Sequence, residues 1–250
     1  MEQSLTLMTT DKYRPPVLMI RMKGHKISEE YAEISRKTWE KEGYTVTYMD
    51  AITPETVDTF GDPQIRFAEK LLLRPQEEKR QKEQDKKGFK FAGIFSETEK
   101  AVWMSHIKAW RQVAKSNEPT IICEHDALLQ HMNWDCENHD FYHMSRNILG
   151  AGFYHPSLLK RFLTFTQTGN PFVVRMNPDA YMHDFINKYL KGQRGRKIRS
   201  KTHFINNFGK PSDEYWPVHA RKWSESTIQH RLFYDGETDE IIQWKVFKKY

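Results

Sequence analysis

The sequence predicts a single α/β domain in which a mixed, mostly parallel sheet is flanked by helices. Three observations carry this. The chain opens as strand, helix, strand; a long segment over 97–113 has helical apolar spacing; and a short apolar strand at 120–123 ends directly in a cluster of acids.

The elements follow in order. Val17-Leu18-Met19-Ile20, after Pro15-Pro16, reads as the first strand. A polar turn around Gly24 follows, and Ser28 then opens Ser-Glu-Glu-Tyr, the pattern of an N-cap with an acidic first turn. Tyr31, Ile34, Ser35 and Trp39 keep to one helical face, and Gly43 stops the helix. Tyr44 to Tyr48 alternates like a second strand. Strand, helix and strand within about 35 residues make a βαβ unit, which builds a parallel sheet with a right-handed crossover.

Further along, 76–90 is almost entirely charged or amide-bearing and reads as a solvated helix or flexible loop, with a functional lid as the alternative. Val102, Ile107, Trp110 and Val113 mark the apolar face of the helix over 97–113. Gly150 and Gly152 precede Tyr154-His155-Pro156 and a helix carrying Leu158, Leu159, Phe162 and Leu163. A further helix spans Asp179 to Leu190, and 191–201 reads as a flexible basic loop. Ile241 to Phe247 is a strand after the turn at Asp235-Gly236. Residues 13–150 and 151–250 then form two halves of one domain.

Composition narrows the class. With 38% hydrophobic and 29% charged residues, the chain buries a core under a very polar surface and is not disordered-like. The two cysteines, Cys123 and Cys136, supply neither a disulfide framework nor a four-ligand zinc site, which points to a reducing compartment. No stretch has the length or apolarity of a signal peptide or membrane span, so the expectation is a cytoplasmic monomer or weak dimer. A net charge of +6 favours an anionic partner.

The chemistry concentrates at Glu124-His125-Asp126, directly after the strand Thr120-Ile121-Ile122-Cys123. In an open α/β sheet, ligands bind beyond the carboxyl ends of the strands. On an extended segment Glu124 and Asp126 point the same way and together engage one divalent cation, with His125 or a later histidine (His203, His219, His230) completing the shell. The alternative is a turn in which the acids cap the next helix. Arg21 and Lys23, just past the first strand, stand where a phosphate would lie or form a solvated basic turn.

The block from Glu99 to Trp110, containing Ser105-His106, is followed by Glu118-Pro119 and by Ile121 to Ala127. It resembles the family 25 glycosyltransferases, the lipopolysaccharide and collagen galactosyltransferase-like group. Their pattern is a Ser-His helix with a Trp four residues on, a Glu-Pro, and an apolar strand ending in Glu-Asp-Asp-Ala. The likeness is close over roughly 30 residues and looser over about 100 more, including Asn177-Pro178-Asp179 and Gly152 to Pro156. His125 replaces the middle acid of that pattern. The resemblance implies a GT-A-like fold, a nucleotide-diphosphate sugar donor and often a divalent cation, Mn²⁺ or Mg²⁺, with 13–150 as the donor-binding half and 151–250 as the acceptor-side half. Glu124 and Asp126 then stand at the metal, with Arg21, Ser105, His106 and His125 near the donor; the plain alternatives are a helix-internal hydroxyl for Ser105 and a histidine packed under the strand for His106. Asp179 becomes the candidate catalytic base toward the acceptor, with an N-cap as its plain alternative and Asp184 behind it. Trp110 reads as core.

For the acceptor, Lys191, Arg194, Arg196, Lys197, Arg199 and Lys201, with Phe204, Phe208, Tyr215, Trp216 and Trp223 around them, suggest nucleic acid. The expected form is a hydroxymethylated pyrimidine in phage DNA, flipped out between aromatic rings. A lipopolysaccharide or other glycan is the alternative acceptor. A nucleic-acid-binding protein without activity, on a transferase scaffold, is the alternative of another class, and a metal-dependent nuclease a third.

Overall fold

The computed structural model describes residues 13–58, 61–70, 72, 78–79, 82, 90–91, 93–130, 139–145, 149–164, 171–193, 218–220, 230–234 and 241–245. Most of the charged stretch 76–90 lies outside these, as do Cys136, Arg194, Arg196, Lys197, Arg199, Lys201, His203, Asp235-Gly236 and the aromatic residues from Phe204 to Trp216, with Trp223.

The main sheet is built from β1 (Val17–Arg21), β2 (Val46–Asp50), β5 (Thr120–Glu124), β7 (Phe141–His143) and β8 (Ala151–Tyr154), in the order β2-β1-β5-β8-β7. β1 pairs in parallel with both β2 and β5, while β8 is antiparallel to β5 and to β7. Four strands therefore share one direction and β8 alone opposes them. The sheet draws on residues either side of position 150, since β8 is inserted between β5 and β7.

Helices cover both faces: α1 (Lys26–Lys41) on one, and α2 (Glu97–Ser116), α3 (Pro156–Phe162) and α4 (Pro178–Gln193) on the other. Alternation along the central strands serves the two layers. Leu18, Ile20 and Ile122 pack with Trp103, Ile107, Trp110 and Leu158, while Val17, Met19, Ile121 and Cys123 pack with Ala32 and Trp39. Burial on both sides explains why these strands are continuous apolar runs. Cys123 is a buried free thiol, its pKa pushed well up by burial first and by the charges of Asp126 and Glu124.

Small sheets surround this layer. β3 (Ile65–Phe67) pairs in parallel with β9 (Phe172–Val174), and β6 (Ala127–Leu129) is antiparallel to β10 (Val218–Ala220). β11 (His230–Tyr234) joins β4 (Lys90–Phe91) and β12 (Ile241–Lys245).

The start of α1 differs from the sequence expectation. The helix begins at Lys26, and His25 is its N-cap, its Nδ1 accepting from the Ser28 backbone N–H at 3.3 Å. The Ser28 hydroxyl is instead an acceptor for Met22 N at 2.9 Å, which folds the β1–α1 loop back on the helix. The inward face is Ala32, Ser35 and Trp39, whereas Ile34 is 41% exposed. Gly43, at φ +83°, does stop the helix, and Arg14 Nε caps Glu42 O at 2.6 Å beside it. α2 carries a capping box, Ser96 with Glu99. α4 runs to Gln193, so the stretch expected as a basic loop from Lys191 is helical at its start. No helix among the described residues is long and apolar enough to cross a membrane.

Candidate active site

The parallel strands β2, β1 and β5 end side by side, with Arg21 opposite Asp50 and Ile20 opposite Glu124. Beyond these ends lies a cleft of about 440 Å³. Its walls are the β1–α1 loop (residues 21–25), the loop after β2 (residues 51–55), one face of α2, and Glu124 with His125. This is the end of an open α/β sheet at which ligands bind.

Glu124 is the last residue of β5, and its side chain is 25% exposed on the cleft. His106 rises from α2 beneath it, almost fully buried, with Nε2 3.3 Å from Glu124 Oε1. Burial alone would push the Glu124 carboxyl up. The hydrogen bond from His106 and the charges of His106 and His125 outweigh it and hold the carboxyl below its ordinary value. The site therefore presents a carboxylate with one oxygen held by an imidazole.

Arg21 lies over the Tyr48 ring, 4.3 Å from its centroid, and 3.7 Å from Asp50; Lys23 reaches the same carboxylate at 3.9 Å. Tyr48 in turn donates to Glu33 on α1 at 3.2 Å. Glu33 is held down to about 2, foremost by the hydrogen bond from Arg36. Arg21 is thus oriented through a chain of contacts reaching back to α1. Tyr48, Asp50 and the 51–55 wall were missed from sequence, although the rule that placed Glu124 at a strand end applies equally to the end of β2.

His125 also lines the cleft, 5% exposed, with its ring stacked on Tyr31 at 6.4 Å. Burial first, with the charge of His25 adding to it, outweighs the pull of Glu124 and lowers the His125 pKa. Asp126 behaves differently. Residues 125 and 126 form a turn between β5 and β6, so the alternation that would aim Glu124 and Asp126 at one point is broken. Asp126 is partly buried and does not line the cleft. Among the described residues, no three histidine, cysteine or acidic side chains are placed to hold a metal ion. Glu124 and Asp126 are therefore not brought together at the cleft in the way the sequence suggests. Calorimetric titration with Mn²⁺ in the absence of nucleotide is expected to show no stoichiometric binding. A one-to-one isotherm would mean that Asp126 turns into the cleft.

Asp179 lies in the first turn of α4, where Oδ1 accepts from Leu149 N at 3.0 Å, while Asn177 caps the helix through Ala180 N at 2.7 Å. Asp179 therefore ties down the turn before β8 and does not line the cleft. Asp184 sits beside His183, 3.6 Å away. Ser105 faces the cleft from α2, bonded to the loop after β2. Of the donor residues expected from sequence, the cleft brings together Arg21, Ser105, His106 and His125 around Glu124.

A family model described as glycosyltransferase family 25 (LPS biosynthesis protein) matches residues 19–154, more than half of the chain. The chain belongs to glycosyltransferase family 25. Membership makes it a glycosyltransferase using a nucleotide-sugar donor, and the sheet with its flanking helices is an α/β fold of that kind. The matched region runs from β1 through β8 and so contains every wall of the cleft. No curated protein matches the chain.

Proposed function

We propose that this family 25 enzyme binds its nucleotide-diphosphate sugar in the cleft at the ends of β2, β1 and β5 and transfers the sugar to an acceptor hydroxyl. The observation that carries it is Glu124, kept as a carboxylate by His106 at the mouth of β5. The strand order lays the cleft out from the β2 loop to the β5 end. Ile20, Met22, Ile52, Pro54, Ala101 and Val102 give an apolar slot for a nucleobase. Arg21 and Lys23, in the loop after the central strand, meet the diphosphate. Glu124 then lies beside the sugar, where its charge favours positive charge developing at the anomeric carbon. The bond from that carbon to the phosphate oxygen breaks, and the electron pair leaves with the nucleoside diphosphate. The acceptor oxygen forms the new bond and its proton passes to a base. Asp179 keeps that assignment only if acceptor binding frees it from Leu149.

Among acceptors, a glycan hydroxyl comes first, because the description of the matched family names lipopolysaccharide biosynthesis. A hydroxymethylated pyrimidine in phage DNA is the second, favoured by the basic run from Lys191 to Lys201. The test is nucleotide release from a panel of nucleotide sugars, with and without Mn²⁺ or Mg²⁺, lipopolysaccharide oligosaccharide, or hydroxymethylcytosine DNA. Stimulation by the glycan supports the first acceptor, and stimulation by the DNA the second. No release with any donor favours a binding protein on a transferase scaffold. If DNA stimulates, charge reversal at Arg194, Arg196 and Arg199 should abolish duplex binding.

A pH dependence follows from the lowered Glu124 pKa. A carboxylate whose pKa is depressed stays charged until the pH falls below its ordinary value of 4.5. The acidic limb of donor turnover in the wild type should therefore lie below that pH. In His106→Ala the main lowering contact is gone while burial remains, so the limb should move upward. An unshifted limb would show that Glu124 does not control it.

A further inference from the structure

We propose that Ser105 is a positioning residue whose buried hydroxyl sets the affinity for the nucleoside part of the donor. The inference rests on the donor assignment of the cleft given above. Ser105 is 3% exposed on α2, and its Oγ accepts from the Ile52 backbone N–H at 2.8 Å while donating to Ala101 O at 2.8 Å. That hydroxyl joins α2 to the loop that follows β2, where residues 51–55 form the wall facing Ala101 and Val102. The rest of the loop is folded on itself or on its neighbours. Thr53 N donates to Thr56 Oγ1 at 3.0 Å, Thr56 N to Thr53 O at 3.0 Å, Ala51 N to Arg21 O at 2.7 Å, and Lys108 Nζ to Asp50 O at 2.8 Å. Ile52 itself, 7% exposed, sits at the centre of this wall and is anchored by Ser105.

The adjacent residue acts the other way. His106 reaches Glu124 at the end of β5, whereas Ser105 reaches the loop at the end of β2. Because β1 separates β2 from β5 in the sheet, the two neighbours on α2 hold opposite flanks of the same cleft. Removing the Ser105 hydroxyl leaves the buried Ile52 N–H without its acceptor, and the loop must move to satisfy it. That displacement opens the nucleobase slot and leaves the Glu124 flank in place. Ser105 touches no reacting atom.

The test uses the full chain and its Ser105→Ala and Ser105→Thr variants. Calorimetry with UDP, GDP, CDP and ADP first finds the nucleoside diphosphate that the wild type binds, and inorganic pyrophosphate serves as the base-free probe. In Ser105→Ala, binding of that nucleoside diphosphate should weaken by roughly 3- to 10-fold, the range expected for one hydrogen bond. Donor KM should rise by a similar factor, kcat should stay within about twofold and pyrophosphate binding should be unchanged. Ser105→Thr keeps the hydroxyl and should restore the wild-type values. Unchanged nucleoside diphosphate binding in Ser105→Ala, or equal weakening toward pyrophosphate, would overturn the proposal. A wild type that binds none of the four would overturn the donor assignment itself, and this inference with it.

Discussion

Replacing Glu124 with Gln is expected to lower donor turnover by at least about 100-fold, the scale of removing one preorganised electrostatic group from an active site. The substitution preserves shape and removes only the charge. Its effect on stability should be small. In the folded protein, burial disfavours the Glu124 carboxylate while His106 and His125 favour it and prevail, so burial cancels part of what the charge contributes. Glutamine still hydrogen-bonds His106 at the same position. A turnover assay at saturating donor, paired with a thermal melt, separates the two quantities. Turnover within threefold of wild type in a well-folded variant would remove Glu124 from the chemistry.

The second large effect is on stability. Trp110→Ala should cost roughly 3–5 kcal/mol, as is usual when a buried tryptophan is truncated. Trp110 has no exposed surface, and its ring meets Phe162 edge-on at 4.9 Å and Trp103 at 6.1 Å. It joins α2 to α3 in the layer that also holds Tyr181 and Phe185. Against a total stability of about 5–15 kcal/mol, this loss leaves the variant marginal. Because Trp110 also lies 5.6 Å from the His106 ring, the collapse would disturb the support of Glu124, and activity would fall with stability. Trp110→Phe, which refills most of the space, should keep more of both. Urea unfolding measures the difference, and a loss under about 1 kcal/mol for Trp110→Ala would contradict the packing.

Much of the architecture was legible because its signals are local. The apolar run at 17–20 and the one at 120–123 became β1 and β5, which pair directly in parallel, and β1 also pairs in parallel with β2 as the βαβ opening demanded. The apolar spacing of Val102, Ile107, Trp110 and Val113 became α2, which extends to Ser116 because Asn117 adopts the left-handed conformation that ends it. Trp110 was expected in the core and lies there. The first turn of α1 was misplaced because several polar residues in succession are able to cap. Which one does so depends on how the chain leaves β1: His25 receives the helix N–H, and the Ser28 hydroxyl is drawn off to Met22.

The site divides in the same way. That Glu124 stands at the cleft follows from a strand ending in acids, and the Ser-His helix with its downstream motif led to the family. The partners of these residues were not legible. Whether Asp126 shares the direction of Glu124 depends on the backbone beyond β5, and a turn there separates them. Whether Asp179 is available depends on Leu149, 30 positions away in sequence and 3.0 Å away in space.

By itself the sequence determined the βαβ opening, the layers of helix on sheet, and the strand end that carries the acid. These follow from periodicities of 2 and 3.6 residues, which are written in neighbouring positions. Only the tertiary structure decided that His106 holds Glu124, that Ser105 holds Ile52, and that Tyr48 and Asp50 hold Arg21. Each is a contact between side chains or backbone on different elements. Its partners are chosen by how the elements dock, which no local pattern specifies.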